Sequence, residues 1–296
     1  MIVNGKQIAR VFPRRTKATP DDEYAFVGPL PRKIQADGGG IDEVHVSVTY
    51  TYDIPKAEQL ARSWARLGVP VHIGGPAFGD RMGDFVPGLY IRPGYTFTSR
   101  GCPNHCWFCS VQQAAHGTIR ELPITDGYNI LDDNVLATSE AHFRGVIDML
   151  KRQPKRPIWT GGIEAKILKP WQADLMREVK TKRLYCAYDT PDDLEPLIEA
   201  GKILRAAGFT IASHVLCCYV LIGYRGDTFD AADKRLMQTI KAGFVPYAML
   251  YRDKNGQTDR EWRSYQREWC RPIITGKKVS DYWRLESEQR NKRADT

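Results

Sequence analysis

The chain has no apolar run near the roughly 20 residues that a membrane-spanning helix needs. Its first residues, "MIVNGKQIARVFPRRTK", lack the apolar stretch and small-residue cleavage site of a secretory signal. An intracellular, cytoplasmic protein without a membrane partner is the expectation. No long-period repeat shows beyond an alternation of strand and helix signals. No second cysteine pair stands at zinc-finger spacing, because Cys186, Cys217, Cys218 and Cys270 fall in stretches that read as strands and a helix. In a reducing compartment the seven cysteines are mostly thiols, so a disulfide scaffold is excluded and a tight cluster points to metal or catalysis.

What is present is enough for a packed core. Hydrophobic residues make up 42% of 296 positions and charged residues 26%, which excludes wholesale disorder and suits one α/β barrel with an extension. The formal charge of +8 favours an anionic partner: a nucleic acid, a nucleotide or an acidic electron carrier.

Residues 1–40 are rich in Pro, Gly and charge and read as an irregular arm. "VHVSVTYTY" alternates as a strand, "IPKAEQLARSWARLG" has helical spacing with Gly68 as its stop, and "VPVHIGG" is a second strand. Residues 42–75 thus form one βαβ unit, followed by loop to residue 95. From 96 onward strands alternate with helices. "YTFTS", "YNILDDNVLA", "RPIWTGG", "RLYCAYDT", "SHVLCCYVLIGY" and "FVPYAMLY" are six strands. Helices begin near Ser139, Pro170, Pro191 and Asp227, and Pro196 threatens a kink in one of them. The segment after Cys109 is short for a full crossover helix. The pattern predicts a parallel sheet that, if curled, makes a partial (β/α)6 barrel with its chemistry at the C-terminal strand ends. Residues 253–296 read as helices in which Lys and Arg outnumber Asp and Glu, with Trp262, Tyr265, Trp269, Tyr282 and Trp283 interleaved. Such aromatics either stack bases or cap the barrel with an apolar stripe.

"TSRGCPNHCWFCS" holds the chemistry. Cys102, Cys106 and Cys109 fall within eight residues. A structural zinc needs a fourth ligand, for which only His105 or His116 is near. An iron–sulfur cluster fits three thiolates with one iron left open, the arrangement of a catalytic metal centre.

The C-x3-C-x2-C spacing after a first barrel strand, with an aromatic before the last cysteine, resembles the radical S-adenosylmethionine (radical SAM) superfamily. The likeness covers about residues 96–252. It implies an α/β fold of the radical SAM type, a partial (β/α)6 barrel over 96–252. An N-terminal βαβ remnant within 1–95 and a helical C-terminal extension, 253–296, would flank it. It implies that Cys102, Cys106 and Cys109 hold a [4Fe–4S] cluster, that SAM binds the open iron, and that Phe108 lies near the adenine. A reducing partner such as a flavodoxin or ferredoxin would supply the electron. "TSRGCPNHCWFC", "ILDDN", "CAYDT", "VLIGYRGDT" and "VHIGGPAFGD" resemble the branch that often carries a cobalamin domain. Arg225 stands where that branch usually has proline, and its DxHxxG signature is absent, so cobalamin is not expected.

Two stretches compete for the SAM ammonium: Asp132, Asp133 and Asn134 after the second strand, and "TGGIEAK", with Gly161, Gly162 and Glu164, after the third. The latter looks like the superfamily's Gly-Gly-Glu motif, although that motif normally follows the second strand. Asp189 and Thr190 are candidates for the ribose or the SAM carboxylate, or a cap for the next helix. Gly223 and its neighbours are candidates for the adenine. Cys217 and Cys218 point to opposite faces of a strand and read as buried, inert thiols. His214 reads as a core or rim residue. A zinc-clipped nucleic-acid module and a non-catalytic cluster protein stay open beside the enzyme, as does an enzyme acting on a peptide or small metabolite.

Overall fold

The computed structural model describes residues 1–80, 82–111, 115–253 and 255–294. It divides into two compact units, Met1–Tyr128 with Lys254–Gly256, and Asn129–Asp253 with Gln257–Thr296. Among the described residues, no helix is long and apolar enough to cross a membrane.

The first unit corrects the expectation of an irregular arm. Strands β1 (Ile2–Val3) and β2 (Lys6–Phe12) form an antiparallel hairpin. Its turn is Asn4-Gly5, both at positive φ, as a tight two-residue hairpin demands. β3 (Ala25–Val27) runs parallel to β2, and α1 spans Arg32–Asp37. β2 escapes a period-two reading because Ile8 to Phe12 are all buried, Arg10 among them. The expected βαβ unit is present: β4 (Glu43–Ser47), α2 (Ile54–Trp64) and β5 (Val71–Gly74), with β2, β4 and β5 parallel. Ala57, Leu60 and Trp64 of α2 bury against Val44 and Val46. This packing sets one face of β4 inward and leaves Glu43 and His45 on the other. The strand is shorter than "VHVSVTYTY", since residues 51–53 turn as a 3₁₀ helix.

After β6 (Tyr95–Thr96), strands β7 (Ser99–Gly101) and β8 (Ile119–Glu121) pair antiparallel. They form a ribbon too short and polar to stand out in the sequence. The loop that closes this ribbon carries the three cysteines. Part of the short crossover expected after Cys109, residues 112–114, lies outside the described residues.

The second unit is α/β with a parallel sheet. Strands β9 (Asn129–Ile130), β10 (Ile158–Trp159), β11 (Arg183–Tyr188), β12 (Leu216–Ile222) and β13 (Val245–Leu250) lie side by side in chain order. Between them run α3 (Glu140–Lys151), α4 (Pro170–Glu178), α5 (Leu194–Ala206) and α6 (Phe229–Lys241). Ser139 caps α3 by accepting from His142 N–H at 3.2 Å, as expected from its position. Pro196 lies in the first turn of α5, where its missing N–H costs nothing, so it makes no kink.

Alternation sorts the two faces of this sheet. Leu184, Cys186, Cys218, Val220 and Ala248 are fully buried in the core shared with the helices. Tyr185, Tyr219 and Tyr247 share the other face and are only half-buried. α7 (Arg260–Trp269) and α8 (Pro272–Ala294) complete the unit. Trp262, Tyr265, Trp269, Tyr282 and Trp283 pack on its core, so the C-terminal aromatics cap the fold.

Candidate active site

The thiol loop begins at Gly101, where φ is +91° and a Cβ would stand 2.2 Å from the Thr118 carbonyl oxygen. Only glycine lets the two ends of the loop close so tightly. Cys102, Cys106 and Cys109 are half-exposed, and Cys109 N–H donates to the Cys106 carbonyl at 3.0 Å, which folds the last two thiols round one turn. Trp107 is 59% exposed, and its ring meets Phe108 edge-on at 5.4 Å. His105 packs over Gly117.

Thiolates on one tetrahedral zinc stand about 3.8 Å apart, given bonds of about 2.3 Å. Among the described residues, the three sulfurs are not all within 4.8 Å of one another, and neither His105 nor His116 joins two of them at that range. Three half-exposed thiols on one loop are a donor set of the kind that iron–sulfur clusters and zinc both take. The other interior thiols differ in kind. Burial pushes Cys186 and Cys218 up and Cys217 to about 11, so all three hold their protons at neutral pH. Cys217 and Cys218 do point to opposite faces, Cys217 beside Arg183 at 3.9 Å and Cys218 abreast of Cys186.

In the second unit the candidate residues gather at the C-terminal ends of the strands. The stretch after β9 and the stretch after β10 form one cradle. Gly161 N–H donates to the Ile130 carbonyl at 2.9 Å, and a Cβ on Gly161 would lie 2.1 Å from the Asp132 carbonyl oxygen. The two loops therefore touch backbone to backbone. Asn134 Nδ2 donates to Glu164 Oε2 at 2.6 Å, joining the two competing motifs directly. Asp132 and Asn134 are buried, whereas Asp133 and Glu164 are half-buried. Gly162 takes φ +95° and turns the chain so that Ile163 N–H donates to the Tyr185 carbonyl at 2.7 Å.

After β11, Asp189 Oδ1 accepts from Leu221 N–H at 3.2 Å. Burial, then repulsion from Asp193, pushes its carboxyl up to about 7, against the Leu221 hydrogen bond and the charge of Arg235. Thr190 caps the turn that follows: Asp193 Oδ2 accepts from Asp189 N–H, Thr190 N–H and the Thr190 hydroxyl at 2.8 to 3.1 Å. After β12, Gly223 N–H donates to Asp227 Oδ2 at 2.8 Å, and Leu250 and Trp262 fill the space a Cβ would take, Leu250 at 2.6 Å. Asp227 is buried and held by Arg235 at 2.7 Å.

Asp193 and Asp227 carry no site role in the sequence reading, although Asp227 marks a helix start there. Each stands five positions after the last residue of its strand and ties the turn there, a spacing that could have marked them. Below the cradle, Tyr185 and Tyr219 stack at 4.5 Å with rings nearly parallel, Tyr247 meets Tyr219 edge-on, and Tyr219 Oη donates to the Thr160 carbonyl at 3.2 Å. His214 sits before β12, at the opposite end from the cradle, with Ser280 at 3.4 Å from its Nε2.

No model of a known protein family matches the chain, and no curated protein matches its sequence.

Proposed function

We propose that this chain is a radical SAM enzyme that abstracts a hydrogen atom from its substrate. The observation that carries the reading is the joined cradle, in which Gly161 presses on the Asp132 backbone and Asn134 holds Glu164. The Glu164 carboxylate and the Asp132 backbone carbonyl lie at this junction, at the ends of adjacent parallel strands, where α/β folds bind ligands. In this reading the two competing stretches are one SAM-ammonium site, with the Glu164 carboxylate as principal acceptor.

Cys102, Cys106 and Cys109 would hold the [4Fe–4S] cluster by three thiolates. A cluster held there would supply the one-electron reducing chemistry that radical cleavage of SAM requires. The chain's own residues bind and orient. Gly161 and Gly162 let backbone approach the cofactor closely. By the resemblance, Asp189 would accept from the ribose hydroxyls and Phe108 and Gly223 would serve the adenine, while the half-buried tyrosines would help to exclude water. A partial (β/α)6 barrel of the radical SAM type is the finer fold this reading requires. The chain works in the cytoplasm with a flavodoxin or ferredoxin as reductant and without cobalamin. A nucleic acid or nucleotide is the substrate class that the positive charge favours.

Anaerobic purification and reconstitution test the reading. The expected result is about four irons and as much sulfide per chain, with 5′-deoxyadenosine formed from SAM on reduction. Glu164→Gln should raise the Kd for SAM about tenfold or more while leaving the iron content unchanged. One zinc per chain, with neither iron nor sulfide, would sink the proposal in favour of a zinc-clipped module.

A further inference from the structure

The non-helical face of the N-terminal sheet carries a second cluster of metal-binding side chains, away from every cysteine in sequence. His45 and His72 are register partners on the parallel strands β4 and β5, and Glu43 is two residues before His45 on the same face. One ligand atom from each of Glu43, His45 and His72 lies within 4.8 Å of the other two. The Glu43 Oε2 to His45 Nε2 separation is 3.4 Å. Ligands on a tetrahedral ion with bonds of about 2.0–2.1 Å stand about 3.3–3.4 Å apart, so this pair is already at coordination spacing. The two imidazole rings meet edge-on at 5.3 Å.

The surroundings orient these donors. His45 Nδ1 lies 2.6 Å from Tyr90 Oη, so the ring can donate from Nδ1 and present a lone pair at Nε2. Tyr90 is held by its own support. Arg10, the register partner of His45 on β2, is fully buried and donates to the carbonyls of Gly88 and Leu89 at 3.0 Å each. Arg10 also pairs with Asp22, so its charge is compensated while its two carbonyl contacts fix the segment before Tyr90. Lys6 pairs with Glu43 through Oε1, which leaves Oε2 towards His45 but makes Lys6 a competing cation. His72 is exposed, so one side of the group is open.

We propose that Glu43, His45 and His72 bind one divalent transition-metal ion of the zinc class, with a coordination position open to water or a small ligand. Two imidazoles and a carboxylate suit zinc and its neighbours rather than calcium or magnesium, which prefer all-oxygen sites. Such a set with a free position is that of a working metal rather than a closed structural one.

The test uses the full chain with Cys102, Cys106 and Cys109 changed to serine, so that the thiols cannot take the metal. The chain is stripped with chelator, dialysed and titrated with Zn²⁺ by calorimetry. One equivalent should bind. His72→Ala, at an exposed position that folding tolerates, should weaken binding by more than the 10–100-fold that loss of an outer-shell partner brings. Tyr90→Phe should weaken it about tenfold, and Lys6→Ala should tighten it. Circular dichroism checks that each variant is folded. Absence of zinc binding in the serine chain, or unchanged affinity in a folded His72→Ala, overturns the proposal. Neither outcome bears on the thiol loop, so this site and the radical reading fail separately.

Discussion

Asp189 is held at a cost. The unfolded carboxyl titrates near 3.9, whereas burial and Asp193 raise the folded one to about 7. Between about pH 4 and 7 the folded state keeps a proton that the unfolded chain releases, so stability falls as pH rises through that window and stays low above it. The penalty is of order 2–4 kcal/mol. Asp189→Asn retains an oxygen for Leu221 N–H and removes the charge. Urea unfolding should show the variant about 2 kcal/mol more stable than the parent at pH 8 and no more stable at pH 4. If Asp189 binds the ribose, the same variant loses SAM affinity while gaining stability, the trade expected of a strained functional group. An identical pH dependence in variant and parent would remove Asp189 from this role.

At the scale of elements, the junction of the loops after β9 and β10 separates two kinds of glycine. Gly161 has no room, since its Cβ would strike the Asp132 backbone. Gly162 has room, the nearest atom being the Tyr185 carbonyl oxygen at 3.6 Å, but sits at φ +95°. Gly161→Ala should cost about 3 kcal/mol, because backbone must move, and should weaken SAM binding with it. Gly162→Ala should cost about 1–2 kcal/mol of backbone strain. Equal losses in thermal unfolding would contradict this reading of the junction. The repeat of strands and helices from 129 to 250 was legible because each strand has its own apolar run and each helix its cap or closing glycine. The three-thiol loop was legible from spacing alone. The meeting of Asn134 with Glu164 was not, because it depends on how β9 and β10 pair, and each of those strands has only two residues in the ladder. β2 was hidden for a different reason. Its buried Arg10 breaks the apolar pattern, and the partners that justify it lie in the chain at Asp22 and near residue 88.

For the whole molecule the question is what the charge of +8 meets. The C-terminal aromatics pack against the core, Trp269 buried and the other four half-buried, so attraction to phosphate rather than base stacking is expected to carry any nucleic-acid binding. Two consequences follow for a fluorescence-anisotropy titration with a single-stranded oligonucleotide. Affinity should fall steeply with salt, by about tenfold or more between 50 and 200 mM, since each neutralised phosphate releases counterions. Paired charge reversals on α8, such as Lys277→Glu with Lys278→Glu, should lower affinity and flatten the salt slope. Substituting Trp283 by Phe should leave affinity unchanged, because that half-buried ring packs against the core. Salt-insensitive binding, or a clear loss with Trp283→Phe in a folded chain, would restore the stacking interpretation. No binding at low salt would point the charge instead at an acidic electron carrier, whose reduction-driven SAM cleavage should then slow as ionic strength rises.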